Sequence, residues 1–463
     1  MANLTRRTLL LGAAGATVGA AVGTTSVRPM SKAGSGRHIV VVGAGFAGIG
    51  ASRALAARGD RVTVLEGQDR IGGRALTSSE MASPVDLGAS WLHTGAQNPL
   101  ASLARQSGVR FDVTDYQTAT TYDLSAESAR ARPFASIYPN TDLDRRLNQT
   151  LGLPYLRWWI GRVFAAAGSG RSVGDVWRAA IVGKVDPLVE GAYRLMLETT
   201  FAAPLDDIAV ESLFQNREGI ANHEWFMTGG MQRFADYLAT GLDIRLATRV
   251  TEIGWDAAGA LVNTEAESIA CDAVVLTVSI GLLKSGAIRL TPGLPQRHRD
   301  ALDRMRMGLL NKVALQFPDI AWPINAHYLG IIGGAIPTVI ANHASYSGQP
   351  ILMAITGGDT ARRVETWSDD EVVSRLLNSL ERALGRRLPA PEKTLVTRWA
   401  SNPWTLGSYA YSAPGANALE ANLLAQPIDG RLFLAGEAIA TSAPGTVHAA
   451  FGSGQRAAAQ LSR

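Results

Sequence analysis

The chain has 463 residues, 46% hydrophobic and 18% charged, a balance typical of a folded protein large enough for more than one domain. Its net charge of +4 comes without a dense block of lysine and arginine, so composition gives no case for nucleic-acid binding. A single cysteine, Cys271, excludes an intramolecular disulfide and a cysteine-built zinc or iron–sulfur site, and no metal is expected.

The amino terminus predicts export. Arg6 and Arg7 precede the apolar stretch Leu9–Val22, which is too short and too rich in glycine for a membrane span. We therefore expect residues 1–30 to be a twin-arginine signal peptide and linker, and the protein to be periplasmic or extracellular. A frayed, alanine-rich tail is the alternative. No later apolar run is long enough to span a bilayer, so no membrane span is expected in the mature protein.

A strand–helix–strand unit follows the linker. The apolar run Arg37–Val42 is typical of a buried parallel strand, and the Ala- and Leu-rich stretch Ile49–Arg58 predicts a helix. A second strand is predicted over Arg61–Leu65. This is the βαβ unit on which nucleotide-binding sheets are built.

The turn between the first strand and the helix reads G-x-G-x-x-G, at Gly43, Gly45 and Gly48. The first glycine permits a tight turn, and the second lets the backbone approach a pyrophosphate at the positive end of the helix. Glu66 ends the second strand about 20 residues after Gly45, where an acid accepts hydrogen bonds from ribose hydroxyls. Together these features predict a dinucleotide site. A tight glycine turn in another α/β fold is the alternative.

A second glycine turn favours FAD over NAD. Two glycines stand beside two arginines in Asp69–Arg74, a stretch able to bind the same pyrophosphate. The segment from Glu66 to Arg74 resembles the second FAD motif of the flavin-containing amine oxidase family. That family includes polyamine oxidases, monoamine oxidases, L-amino-acid oxidases and the histone-lysine demethylases.

Four further stretches resemble motifs of this family, in the family's order. They are the flavin-side segment Asp86–His93, in its polyamine-oxidase form, the lysine segment Gly308–Val313, the tryptophan segment Trp399–Tyr409, and the carboxy-terminal FAD motif Leu432–Glu437 with Pro444–His448. The resemblance covers about residues 37–463. It implies an α/β fold with a Rossmann-like (GR2-type) FAD-binding domain, discontinuous in sequence, and a mixed α+β substrate-binding domain.

Domain boundaries follow from where the motifs lie. We expect the FAD-binding domain to comprise residues 37–96, 222–292 and 395–463, and the substrate-binding domain to comprise residues 97–221 and 293–394. The region Gln97–Arg217 reads as mostly helical, with Trp158, Trp159 and Trp177 packed in a helical core.

The resemblance also assigns the cofactor site. Glu437 would face hydroxyls of the ribityl or phosphate side, and Val250, ending a strand Arg245–Val250, would hold the adenine through its backbone. The start of the last helix would stabilise negative charge on the flavin's N1–C2=O edge. The expected FAD-binding residues are Gly43, Gly45, Gly48, Glu66, Gly73, Arg74, Gly88, Ala89, Ser90, Trp91, Val250, Trp399, Gly436, Glu437, Thr446 and Val447.

Four residues are expected to serve catalysis. Lys312 would be hydrogen-bonded through water to flavin N5 and would assist reoxidation; a solvated lysine at a strand end is the alternative. His93 would be a polar residue of the substrate tunnel; a capped or core histidine is the alternative. Trp399 would cover the flavin edge and exclude water, and Tyr409 would add aromatic surface.

The implied reaction needs no specific acid–base pair. A neutral amine is held with its α C–H aimed at flavin N5 in a dry pocket, hydride is transferred, and the imine is hydrolysed. Electrons then pass to O₂ or another acceptor. The expected substrate is a polyamine or another primary or secondary amine.

Departures from relatives narrow this expectation. The last motif lacks the cysteine that holds FAD covalently in monoamine oxidases, so FAD should be non-covalent. Gly88–Trp91 lacks the arginine of L-amino-acid oxidases, although an arginine from elsewhere keeps that alternative open. Ala443 stands where many relatives carry an aromatic cage residue. Acids able to recognise a distal ammonium are Glu198, Glu211 or Glu224, which the sequence does not distinguish.

Two other classes of protein compete with this interpretation. A NAD(P)-linked dehydrogenase would need neither the second glycine turn nor Gly436-Glu437. A flavoprotein scaffold without turnover would have no reason to keep Lys312, Trp399 and His93 together.

Overall fold

A computed structural model describes residues 36–125, 129–133, 162–163, 165–183, 187–215, 223–416 and 419–461. The predicted signal segment 1–30 lies outside the described residues, as do Trp158 and Trp159. Trp177 is described and is buried in the helix Val173–Ala180, in a small apolar core.

A five-stranded parallel sheet, here called the nucleotide sheet, contains the first predicted strand at its centre. Apolar residues occupy nearly every position of its inner strands because both faces are covered. Its strands lie in the order Ile244–Arg245, Arg61–Leu65, His38–Val42, Ala273–Leu276 and Leu432–Leu434. The sheet thus draws strands from three distant stretches of the chain.

Two helices, Phe46–Ala56 and Val447–Gln460, pack closely against each other beside this sheet. Glycine makes the contact possible. A Cβ on Gly454 would lie 1.9 Å from the carbonyl oxygen of Ala47, and a Cβ on Gly50 would lie 2.4 Å from that of Phe451. The first and last motifs of the sequence are therefore brought together by backbone-to-backbone packing.

A seven-stranded mixed sheet, here called the chamber sheet, forms the second large layer. An apolar core covers one of its faces, including Val313, Leu315, Leu329 and Ile340. Its strands lie in the order Lys393–Val396, Leu310–Gln316, Ile351–Gly357, Thr338–Asn342, Tyr328–Ile332, Thr120–Asp123 and Arg130–Pro133.

Smaller sheets connect these layers. A four-stranded sheet contains Ser268–Cys271, Ala260–Thr264, Val250–Trp255 and Arg289–Thr291. A three-stranded sheet places Trp225–Phe226 between Trp91–Leu92 and Asp112–Val113. Two-stranded ladders join Thr77–Ser78 to Val85–Asp86 and Met305–Met307 to Ala410–Ser412.

The remaining helices cover the faces and edges of these sheets. The α-helices are Ala101–Gln106, Pro187–Phe201, Ser212–Gln215, Met231–Ala239, Ile280–Ser285, Gln296–Asp303, His343–Ser347, Gly358–Thr366, Asp369–Leu384 and Leu419–Leu424. Short 3₁₀ turns are Gly95–Gln97, Tyr116–Thr118, Leu205–Asp207 and Glu437–Ile439. Within the part of the chain that the structure describes, no helix has both the length and the apolarity to cross a membrane.

Within the described part of the region after Gln97, which is mostly helical, Thr120–Asp123 forms a strand that pairs in parallel with Tyr328–Ile332. One expectation about local structure was wrong. Val250 begins a strand instead of ending one. The chain turns between the strands Ile244–Arg245 and Val250–Trp255. In this turn Ala247 has a φ of +48°, and the amide of Thr248 donates to the carbonyl of Glu66.

Candidate active site

A single cavity of about 770 Å³ collects the predicted site residues. One end lies at the carboxyl ends of strands of the nucleotide sheet, which is where open α/β sheets bind ligands. The other end reaches the chamber sheet. Every expected FAD-binding and catalytic residue lines this central cavity except Gly48, and Arg70 of the second glycine turn does not line it either.

Gly48 instead supports the first glycine turn from beneath. A Cβ at this position would lie 1.8 Å from the carbonyl oxygen of Gly43, so no other residue fits without moving the turn. Gly43 has a φ of +102°, which glycine adopts without strain. The helix begins at Phe46 with no side chain capping it, so its first N–H groups point to the cavity as an anion site.

Glu66 is buried and oriented by backbone donors. Its Oε2 accepts from the amide of Ala44 at 2.8 Å, and its Oε1 accepts from the amide of Gln68 at 2.9 Å. Each oxygen keeps a lone pair that can accept from a ribose hydroxyl. At the same end of the cavity, Trp404 lies against Gly67, where a Cβ would come within 2.2 Å of the indole.

The second glycine turn packs directly on the first. The amide of Gly72 donates to the carbonyl of Ala44 at 2.9 Å. The two arginines have different surroundings. Arg74 lines the cavity and donates to the Glu437 carboxylate at 2.6 Å, whereas Arg70 donates to the carbonyl of Gly73 at 2.8 Å and braces the turn. The expectation that both guanidinium groups face a pyrophosphate therefore applies to Arg74 alone.

The last helix presents a second N-terminus to the cavity. Thr446 caps it, its Oγ1 accepting from the amide of Ala449 at 3.3 Å, and Val447 is its first residue. Thr446 and Val447 both line the cavity, so the N–H groups of this helix start are available to a partial negative charge. Glu437 is held nearby by Arg74 and by the amide of Ala410 at 3.2 Å.

Lys312 lies in the middle of the strand Leu310–Gln316 and is only 2% exposed, so the alternative of a solvated lysine is wrong. Its Nζ donates to the carbonyl oxygens of Asp86 and Gly88 at 2.9 and 2.5 Å and to Ser90 Oγ at 2.6 Å. Nζ of Lys312 therefore has three hydrogen-bonding partners in the flavin-side segment. The lysine therefore holds the flavin-side segment at three points. Its Nζ also lies 5.2 Å from the centre of the Trp91 ring.

Lys312 and Asp86 form a buried pair with shifted pKa values. Burial lowers the pKa of Lys312 to about 7, and burial raises the pKa of Asp86 to about 6. The Asp86 carboxylate accepts from Thr77 Oγ1 at 2.5 Å and from the amide of Met231 at 3.0 Å. The flavin-side segment is thus anchored from the chamber sheet on one side and from the helix Met231–Ala239 on the other.

Two aromatic residues complete the wall. Trp399 is buried, and its Nε1 donates to the carbonyl of Leu87 at 3.3 Å. Tyr409 lies beside Gly445, where a Cβ would come within 3.4 Å of the ring, and its hydroxyl donates to the carbonyl of Thr199. Tyr409 therefore supplies aromatic surface next to the loop that carries Ala443.

His93 faces the cavity and pairs with a buried acid. Its Nδ1 is 2.6 Å from Oε1 of Glu224, and the exposed fractions of the two side chains are 37% and 4%. The hydroxyl of Tyr116 donates to the other carboxylate oxygen, Oε2. The alternative of a core histidine is wrong, because the imidazole and both partners line the cavity.

The other two candidate acids do not line the cavity. Glu198 lies 3.7 Å from Arg194, and burial raises its pKa to about 7. Glu211 accepts from the amide of Gly168 at 2.5 Å. Sequence reasoning could not choose between three acids, because the choice depends on strand pairing between distant segments.

Comparison with known proteins agrees with this geometry. The family model for flavin containing amine oxidoreductases matches residues 46–462. The chain belongs to this family. It is 32% identical over 438 residues to polyamine oxidase 2 of Arabidopsis thaliana, covering 91% of this chain and 87% of that protein. It is 31% identical to lysine-specific histone demethylase 1 homolog 1 of Oryza sativa subsp. japonica, covering 92% of this chain and 52% of that protein.

Solved structures confirm the predicted fold class of this flavin amine oxidase. Wild-type putrescine oxidase bound to putrescine has a TM-score of 0.77 and 21% identity, covering 92% of this chain and 99% of that chain. Cyclohexylamine oxidase from Brevibacterium oxydans IH-35A has a TM-score of 0.76 and 20% identity, covering 92% and 98%. Family membership also decides against the two competing classes of protein. The protein is a flavin-dependent amine oxidoreductase, and not a NAD(P)-linked dehydrogenase or a flavoprotein scaffold without turnover.

The cavity fits the family's cofactor, FAD. Two helix N-termini open onto it, at Phe46 and Val447, and an oriented carboxylate, Glu66, lies at the end of the second strand. Gly48 keeps the backbone of the first turn where a pyrophosphate can approach it. The residues that would hold FAD are those assigned from the sequence, with Gly48 acting from behind the turn.

Proposed function

We propose that this flavin amine oxidase oxidises a di- or polyamine at the carbon next to nitrogen. The main support for this proposal comes from the end of the cavity that lies against the chamber sheet, here called the chamber end. Its walls are mainly apolar and aromatic, among them Trp91, Tyr328 and Ile332, and one buried carboxylate, Glu224, faces into it. An acid among aromatic rings attracts an extended cationic chain. The similarity to polyamine oxidase 2 supports the same substrate class.

The chain's own residues create the conditions for the reaction. When bound, FAD supplies the hydride acceptor. Lys312 fixes the segment Gly88–Trp91 beside the cofactor, and Trp399 closes the wall by bonding to Leu87. The apolar lining excludes water, which favours a neutral amine over an ammonium. The helix that begins at Val447 stabilises negative charge where its N–H groups point.

An L-amino-acid oxidase is less well supported. A substrate carboxylate needs a cation, and the described cavity wall contains three, Arg74, Arg249 and Lys312. Arg74 is paired with Glu437, and Lys312 donates to three acceptors. Arg249 lies 3.6 Å from Glu265 and over the Trp404 ring, near Glu66 and away from the chamber. Each cation therefore has other partners.

Non-covalent FAD is part of the proposal. Cys271 lies buried in the strand Ser268–Cys271, outside the cavity, and burial raises the pKa of its thiol to about 11. A thiol in this state is a poor nucleophile. Acid precipitation should release the flavin into the supernatant. Flavin that stays with the precipitated protein would contradict this part of the proposal.

Reoxidation by O₂ and export by the twin-arginine route complete the proposal. Export rests on Arg6, Arg7 and the apolar stretch Leu9–Val22 alone. Replacing both arginines by lysine should retain the protein in the cytoplasm of a bacterial host with a twin-arginine system. An unchanged distribution between cell fractions would argue against this route.

Release of H₂O₂ during turnover in air tests O₂ as the acceptor.

Anaerobic mixing with single amines tests the substrate. The oxidised-flavin absorbance band is followed while spermine, spermidine, putrescine, a monoamine or an L-amino acid is added. Bleaching by the di- and polyamines at the lowest concentrations supports the proposal. Bleaching by L-amino acids alone would overturn it and would require a carboxylate anchor that the described cavity does not show.

A further inference from the structure

A buried hydrogen-bond chain connects the segment that carries His93 to the start of the last helix. It begins at Asn98, which is 4% exposed and follows the 3₁₀ turn Gly95–Gln97. The Nδ2 of Asn98 donates to the backbone carbonyl of His93 at 2.8 Å and lies 3.1 Å from Nδ1 of His448. Asn98 and His448 are 350 residues apart in the chain, and neither side chain lines the cavity that the described residues form.

The backbone near Asn98 fixes the direction of its side-chain amide. The Oδ1 of Asn98 accepts from the amide of Leu100 at 2.9 Å, so the atom that faces His448 is the nitrogen, Nδ2. This nitrogen carries two hydrogens and can only donate, and therefore Nδ1 of His448 accepts the hydrogen bond. An imidazole that accepts at Nδ1 carries its hydrogen at Nε2.

The hydrogen at Nε2 of His448 continues the chain to Thr446. The Nε2 atom lies 3.3 Å from Thr446 Oγ1, and the same oxygen accepts from the amide of Ala449 at 3.3 Å. The hydroxyl hydrogen of Thr446 is donated to the carbonyl of Ala443 at 2.8 Å. The single hydrogen and both lone pairs of this hydroxyl are thus engaged within the protein.

This arrangement decides what the start of the last helix presents to the cavity. Thr446 and Val447 line the cavity, and the N–H groups of a helix start stabilise negative charge. A hydroxyl lone pair turned toward the same place would repel that charge. Because His448 occupies the second lone pair of Thr446, the hydroxyl is held in the one orientation that leaves the field of the helix start unopposed.

We propose that Asn98 and His448 are positioning residues that raise the electron affinity of the bound flavin, acting through Thr446. The inference deepens the proposed function and rests on it for its place in amine oxidation, since the negative charge develops when the flavin takes up electrons from the amine. The reduced flavin carries this charge and the oxidised flavin does not. The chain therefore favours reduction of the flavin more than it favours binding of FAD.

The reduction equilibrium of the bound flavin tests this role without any amine. Holoenzyme and a reference dye of known potential are reduced together by xanthine and xanthine oxidase under anaerobic conditions, and the ratio of reduced to oxidised flavin is read from absorbance at a fixed dye ratio. In His448→Leu this flavin ratio should fall about fivefold, the size expected for one oriented hydrogen bond. Asn98→Ser should cause a similar fall, because serine can still accept from the Leu100 amide but is too short to reach His448.

Combining the two changes separates one chain from two independent defects. If both residues act through Thr446, His448→Leu should lower the flavin ratio about fivefold in the wild type and less than about twofold in the Asn98→Ser background. Two full effects that multiply in the double variant would overturn the proposal. His448→Gln keeps one acceptor and one donor and should bring the ratio to within about twofold of the wild type. A ratio as low as that of His448→Leu would count against the chain.

His298→Leu is the matched control. His298 is also a buried histidine, and its Nε2 lies 3.2 Å from the carbonyl of Gln426, but it belongs to the helix Gln296–Asp303, which contributes no residue to the wall of the described cavity. This variant should lose thermal stability and keep the flavin ratio of the wild type. If His448→Leu behaves in the same way, its role is structural and the proposal is wrong.

The outcomes are distinguishable from failure of the proposed function, because the dye equilibrium needs no substrate. If no amine reduces the wild-type flavin but the ratio falls as expected in the variants, the proposed function fails and the effect of the chain on the flavin stands. If amines reduce the wild type and the ratio is the same in every variant, only the positioning role fails. Should His448→Leu not retain FAD, Asn98→Ser decides alone, and an unchanged ratio in that variant refutes the role.

Discussion

Replacing Lys312 by methionine should remove a pH dependence of stability whose size follows from the structure. Burial lowers the pKa of this lysine from 10.5 to about 7. Between these values the folded protein holds the amine neutral, while the unfolded chain binds a proton, so unfolding takes up a proton. The free energy of unfolding therefore rises with pH across this window.

The magnitude is on the order of 5 kcal/mol over the whole window, at 1.36 kcal/mol for each pKa unit. About 3 kcal/mol of this falls between pH 7 and 9. Asp86 adds to the effect. The charge of Lys312 lowers the pKa of the Asp86 carboxyl and so opposes the effect of burial. In Lys312→Met the pKa of Asp86 should therefore rise above about 6. The variant should then become less stable as the pH increases toward that new pKa.

Urea unfolding at constant excess FAD, from pH 6 to 9, measures the difference between wild type and Lys312→Met. That difference should grow in favour of the wild type as pH rises. Lys393→Met is the control, since Lys393 is exposed in the neighbouring strand and its Nζ donates to the carbonyl of Glu80. Parallel stability curves for wild type and Lys312→Met would refute the reasoning.

Three further predictions concern the cofactor site. Gly48→Ala should abolish stoichiometric FAD binding, because the added Cβ meets the carbonyl of Gly43 at 1.8 Å; a purified variant with full flavin content would contradict this. Thr446→Ala should lower the free energy of unfolding by about 1 kcal/mol through loss of the cap on the Ala449 amide, and Thr446→Ser should restore it. Cys271→Ser should leave turnover and acid release of flavin the same as in the wild type, and retention of flavin in the wild type alone would show a thiol link.

Local sequence sufficed for the cofactor end of the site. Glycine turns, helix starts and a strand-ending acid act through backbone geometry within a few residues. For this reason Gly43, Gly45 and Glu66 could be placed on the cavity from their spacing, and the resemblance added Glu437 and Thr446. Two strands of the nucleotide sheet, His38–Val42 and Arg61–Leu65, were also predicted from the sequence, because a strand buried on both faces is a continuous apolar run.

Contacts between segments that are distant in the chain could not be predicted from the sequence. His93 and Glu224 are 131 residues apart, and only the register of their strands brings the imidazole to the carboxylate. The sequence named Lys312 but not the carbonyls of Asp86 and Gly88 that its Nζ contacts. Nor did it show that Val250 begins a strand, because the turn before it depends on a hydrogen bond to Glu66.

The sequence by itself determined the family, its cofactor and most of the residues that line the cavity expected to hold that cofactor. Each motif is a short stretch whose backbone shape carries its function. The tertiary structure decided which of the three candidate acids faces the cavity, how deeply the lysine is buried and which arginine reaches the cavity. These depend on how strands pair and sheets pack across the whole chain, and hydrophobic burial fixes them only when the complete core is assembled.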